Sequence, residues 1–165
     1  MAIKDGLIAE IKMESASTRK VLERVPTDKP SWKPHDKSME MGRLATHVAD
    51  IPSWIALAVN TDELDLSKRD YKPQIFDNNA DLVAHLDKNV SDAIAALETA
   101  SDELLNKPWK LRHGDHVIFE LPRHVVIRSV GMNHNYHHRA QLGVYLRLND
   151  VPVPGVYGPS ADDAN

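Results

Sequence analysis

The feature that most restricts this chain is its apolar spacing: four stretches carry hydrophobic side chains three and four residues apart, divided by proline-containing or polar segments. Such a stripe fits an amphipathic helix and not a strand, whose faces alternate every second residue. Ile3, Leu7, Ile8, Ile11, Val21, Leu22 and Val25 define a first helix over 3–25, despite a polar interruption from Ser15 to Thr18. Pro26, Pro30 and Pro34 then break it, so 27–37 reads as a loop with Trp32 pinned to the surface. Ser38, followed by Met39, Glu40 and Met41, suits the start of a second helix reaching about Val59.

Residues 62–79 hold two acidic clusters, Pro73 and the Asn78-Asn79 pair. They make a connection longer than usual, and long connections often carry function. The cluster from Asp62 to Asp65 itself reads as solvated. Leu82, Leu86, Val90, Ala93, Ile94 and Leu97 form the stripe of a third helix over 80–99. Trp109 and Val117-Ile118-Phe119 then flank His113-Gly114-Asp115, the pattern of a small β-hairpin around a turn. A last helix begins near Pro122 and runs to Leu148, where Asn149-Asp150 and Pro152/Pro154 stop it. The tail to Asn165 should lie against the helices and then fray. The expectation is a single all-α domain over 1–165, a four-helix bundle with long connections and a small β-hairpin before the last helix.

A length of 165 residues suffices for a self-supporting core. With no Cys there are no disulfides, thiolate metal sites or Cys nucleophiles, which leaves His, Asp and Glu as the strong metal ligands and fits a reducing, cytoplasmic setting. The net charge of -4, with basic residues scattered, gives no electrostatic reason to expect nucleic acid or an acidic membrane as partner. The longest apolar run, Trp54 to Val59, is too short to span a bilayer, and the N-terminus lacks the apolar core of a signal peptide, so a soluble protein is expected. No Gly-rich phosphate loop, Gly-x-Ser-x-Gly elbow or His-Glu-x-x-His motif occurs, which removes nucleotide binding, triad hydrolysis and zincin chemistry.

Nine histidines are the compositional oddity. His134 and His138 stand four apart on the last helix and share a face, which lets two imidazoles reach one ion. At 100° per residue Ile127, Val130, Gln141, Tyr145 and Leu148, like His138, fall within about 40° of His134, so the pair points to the core, with Arg128, Arg139 and Arg147 toward solvent. Burying two imidazoles among apolar side chains costs free energy unless each finds a partner, and a shared cation provides one for both. His47, on the apolar stripe of the second helix with Ile51, Trp54 and Ala58, is the candidate third ligand. Three His with open positions resemble catalytic zinc geometry. Spacing alone leaves the alternative of hydrogen-bonded core histidines open, because nine His in this length give roughly 0.5 such pairs by chance. His113 and His116 could offer a weaker second site, while His35, His85 and His124 read as structural or surface residues. Trp54, Gln141 and Tyr145 are the expected pocket lining, and no residue stands out as general base.

The chain resembles the DinB-like, or DinB/YfiT-like, metalloenzyme family. The likeness rests on Pro34-His35-Asp36-Lys37-Ser38-Met39 leading into Leu44-Ala45-Thr46-His47-Val48, on His134-x-x-x-His138-Arg139-Ala140-Gln141-Leu142, on Val144-Tyr145-Leu146-Arg147-Leu148, on Val151-Pro152-Val153-Pro154 and on Tyr157-Gly158-Pro159-Ser160. Ala140 stands where the family's His-Arg-Gly-Gln form usually has Gly. The resemblance implies a four-helix bundle, a divalent metal on His47, His134 and His138, and a homodimer. It also implies thiol-dependent S-transferase or isomerase chemistry with a low-molecular-weight thiol such as bacillithiol or mycothiol as partner of a small-molecule substrate. Zinc or nickel leads among the ions, with iron and copper also compatible with imidazole. Metal-dependent hydrolysis is the alternative enzyme, and a metal-binding or dimerisation protein without turnover is the alternative outside enzymes.

Overall fold

The computed structural model describes residues 2–163, so the expected fraying at Asn165 lies outside them. Helix α1 spans Ile3–Leu22, with the Ala2 backbone N–H donating to Asp5 Oδ2 at 3.0 Å at its start and Arg19 and Lys20 in its last turn. The expected second helix is two, α2 (Met41–Asp50) and α3 (Ser53–Asn60), with the break at Pro52. Pro52 has no N–H to return to the carbonyl of Val48. That carbonyl accepts instead from Asn135 Nδ2 at 2.7 Å, and the carbonyl of Ala49 accepts from Asn89 Nδ2 at 2.9 Å. The missing N–H of Pro52 thus frees the Val48 carbonyl for a tie to Asn135, beside the second tie from Ala49 to Asn89.

Helix α4 (Asn79–Thr99) starts where Asn78 Oδ1 accepts the N–H of Asp81 at 2.8 Å. A short α5 (Asp102–Asn106), capped by Ser101, follows it and was not anticipated. The expected hairpin is present as β2 (Pro108–His113) and β3 (His116–Pro122), antiparallel around Gly114 at φ 58. A third strand, β1 (Glu63–Asp65), pairs parallel to β2, so the order is β1-β2-β3 and the fold is mostly helical with a small sheet, not all-α. Three residues are too few to display an alternation, which is why the strand was hidden in the 62–79 connection. Asp65 is also not solvated: it is buried, takes the N–H and Oγ–H of Ser67 and the N–H of Gly114, and pairs with Arg112 at 2.8 Å. The Ser67 hydroxyl leads among the contacts that hold its carboxyl below the usual range.

The last rod begins with α6 (Arg123–Val126), passes through π-helical turns over Ile127–Asn133 and continues as α7 (His134–Leu148). Hydrogen bonds that reach five residues advance each side chain by less than 100°, so the face after the π turns is rotated from that of a regular helix. The buried residues of α7 are accordingly Asn135, Arg139, Leu142, Tyr145 and Leu146, and Leu148 is 55% exposed. Arg139, expected toward solvent, is 3% exposed and pairs with buried Glu14 at 2.7 Å. Its guanidinium also donates to Thr18 Oγ1 and Tyr157 Oη. Two core clusters result: Leu7, Ile11, Ile55, Leu97, Trp109 and Ile127 in one, and Leu22, Met41, Val48, Leu86, Leu142 and Leu146 in the other. Among the described residues no helix is long and apolar enough to cross a membrane.

Candidate metal centre

The bond from Asn135 to the Val48 carbonyl joins the neighbours of two histidines. His47 precedes Val48 on α2 and His134 precedes Asn135 on α7, so this tie brings the two rings together edge to face, with centroids 5.0 Å apart. His134 and His138 lie on the edge of the buried face of α7, about 60° to 100° from its centre at Asn135, where solvent can still reach them. His47 Nε2 stands 3.3 Å from His134 Nε2, and His138 Nε2 stands 2.9 Å from it. The three ligand atoms all lie within 4.8 Å of one another. Among the described residues this is the one group of His, Asp and Glu arranged to share an ion; exposed His113 and His116 gather no third ligand.

The three nitrogens cannot all satisfy one another while the rings are neutral. A neutral imidazole has a single N–H, and His138 donates its own from Nδ1 to Gln141 Oε1 at 2.7 Å, which leaves its Nε2 as a bare lone pair. A tetrahedral ion about 2.0–2.1 Å from each imidazole holds the nitrogens about 3.3 Å apart, close to the spacing found. The residues fit a divalent ion. Burial, followed by the neighbouring His138 and His134, lowers the His47 pKa from 6.5 to about 4, with Asp50 acting in the opposite sense. Burial also lowers the pKa of His134 and His138. At neutral pH all three are therefore in the uncharged form that binds metal.

His47 opens on a cleft of about 230 Å³ lined also by Asp50, Ser53, Trp54, Leu66, Arg69 and Tyr71. Trp54 thus stands in the cleft wall. Gln141 is exposed and touches His138 in place of the cleft, and Tyr145 packs in the core at 5.4 Å from Trp32 with its hydroxyl donating to the Met39 carbonyl. The sequence reading missed Asp50, Arg69 and Tyr71. Asp50 lies one helical turn after His47, a spacing that could have flagged it; the other two come from the connection already marked as a bearer of function. Asp50 Oδ1 meets His85 Nε2 at 2.6 Å and Oδ2 accepts from Tyr71 Oη at 2.5 Å. Burial and this carboxylate push the Tyr71 phenol up to about 12.

Comparison with known proteins gives the family and the fold. The family model described as the DinB family matches residues 3–165. The crystal structure of a DinB-like protein from Bacillus cereus ATCC 10987 is similar with a TM-score of 0.70 at 23% identity, covering 93% of this chain and 97% of that one. That of the DinB-like protein YjoA from Bacillus subtilis gives a TM-score of 0.68 at 17% identity, covering 96% of this chain and 99% of that one. These two likenesses establish the fold. No match was found among curated proteins.

Proposed function

With residues 3–165 this chain belongs to the DinB family, and on that premise we propose that it is a divalent-metal-dependent enzyme, specifically a thiol-dependent S-transferase that uses a low-molecular-weight thiol. The observation that carries the reading is the convergence of three imidazole Nε2 atoms from α2 and α7, beside a cleft. His47, His134 and His138 would hold the ion, which when bound supplies Lewis acidity that lowers the pKa of a water or thiol. Gln141 fixes the tautomer of His138, and Asn135 holds α7 against α2. Trp54 offers an apolar wall on which a substrate can rest. Since the chain has no Cys, the sulfur must come from a cosubstrate: its S–H proton passes to solvent, the thiolate forms a new S–C bond to an electrophilic carbon, and the group displaced from that carbon leaves with the electron pair of the broken bond. Zinc or nickel is the ion we expect. In the same reading α1, α2 with α3, α4, and α6 with α7 are the four rods of the family's bundle, and the protein is a cytoplasmic homodimer.

The test is elemental analysis of untagged protein beside its His134→Ala variant, followed by electrophile consumption with and without added thiol. The expected result is metal in the wild type, little in the variant, and turnover that requires thiol. Turnover without thiol would point to hydrolysis on the same ligands, and equal metal content in both proteins would remove the site.

A further inference from the structure

Arg69 is the one cationic side chain lining the cleft beside His47, apart from the histidine itself. Its guanidinium lies over the rings of Trp54 and Tyr71, with its central carbon 5.6 Å and 5.0 Å from their centroids. An aromatic ring on a guanidinium face leaves the in-plane N–H fork free, and that fork matches a carboxylate in two parallel hydrogen bonds. The carboxylates that could have taken it are occupied: Asp50 by His85 and Tyr71, and adjacent Asp70 by Lys72 at 3.4 Å. Among the described residues Arg69 forms no ion pair. Arg43, one turn before His47 on α2, is also exposed and forms none, on a chain of net charge -4.

We infer that Arg69 is a specificity-determining residue that receives a carboxylate of the substrate or thiol cosubstrate, so that the cleft is built for carboxylate-bearing small molecules. Trp54 and Tyr71 keep the guanidinium flat and in place, and Arg43 adds long-range attraction at low ionic strength. This rests on reading the cleft as the substrate side of the three-histidine site.

Calorimetric titration of chelator-treated full-length protein with succinate, neutral succinamide and inorganic phosphate tests it without any turnover. Succinate should bind wild type at least about tenfold tighter than succinamide, and Arg69→Met should lose roughly ten- to hundredfold in succinate affinity, the range for charge-assisted hydrogen bonds. Arg69→Lys should recover only part of it, because an ammonium lacks the fork. His116→Ala, on the exposed hairpin, should bind succinate as wild type does. An Arg69 effect together with equal metal content in wild type and His134→Ala would then sink the metal site alone. The carboxylate assignment is overturned if Arg69→Met, folded by circular dichroism, binds succinate like wild type, if succinamide matches succinate, or if phosphate binds tighter than succinate in an Arg69-dependent way.

Discussion

His47 is half-buried beside two other imidazoles, and protonating it in the metal-free protein puts charge where water cannot fully answer it. Its folded pKa of about 4 lies below the ordinary 6.5, so the unfolded chain binds the extra proton more readily. The sign follows: the stability is intact above pH 6.5, declines as the pH falls between 6.5 and about 4, and is lost below that. Allowing for solvent screening of a half-exposed group, the loss should be about 1–2 kcal/mol. Urea denaturation of chelator-treated protein from pH 7.5 to 4 should display this slope, and His47→Gln should flatten it. A variant with the wild-type slope would clear His47 of the effect. The three histidines were legible in the sequence because four-residue spacing and an apolar stripe are local properties. The partners that complete the site were not: Arg69 and Tyr71 reach it through a connection of irregular backbone, and His85 meets Asp50 only after α4 packs on α2.

Between α6 and α7 lies the element that most misled the sequence reading. The π turns over Ile127–Asn133 leave no mark in hydrophobic spacing, and continuing a regular helix through them put Arg139 in solvent and Leu148 in the core, the reverse of what is found. Gly131 sits within these turns, where a Cβ would come 2.5 Å from Cγ1 of Ile55 on α3. The close approach is what the segment requires of that position, since Ile55 is 1% exposed and packed in the first core cluster. Replacing Gly by Ala favours a helix by about 1 kcal/mol on propensity alone. Here the clash should outweigh it, and Gly131→Ala is expected to destabilise the protein by about 1–3 kcal/mol. The cause can be isolated with Ile55→Ala: the double variant should lose less stability in urea than the two single variants together. Strict additivity would place the strain elsewhere. The other element-scale differences have a shared origin, for Pro52 splits a helix by subtracting one N–H and β1 is three residues long, signals too short for any periodicity.

At the scale of the whole molecule the three histidines connect parts of the chain 87 residues apart, and they do so across the groove between α2 and α7. Both helices contribute to the second core cluster, while the rod ahead of α7 supplies Ile127 and Met132 to the first. An ion held by His47, His134 and His138 would therefore lock the last rod onto α2, and would be released when the two separate. A ligand that binds the folded state alone stabilises it by about 2.7 kcal/mol at a hundredfold excess over its dissociation constant. For a chain of this size that corresponds to a rise in Tm of roughly 5–10 °C. Zinc added to chelator-treated wild type should produce such a shift, and His134→Ala should lose it while keeping a wild-type circular dichroism spectrum. His113 and His116, exposed on the hairpin without a third ligand, provide the internal control, since His116→Ala should leave the shift whole. A zinc-induced rise of equal size in wild type and His134→Ala would mean that the ion stabilises the fold from some other position, and that the convergence of the three rings is packing.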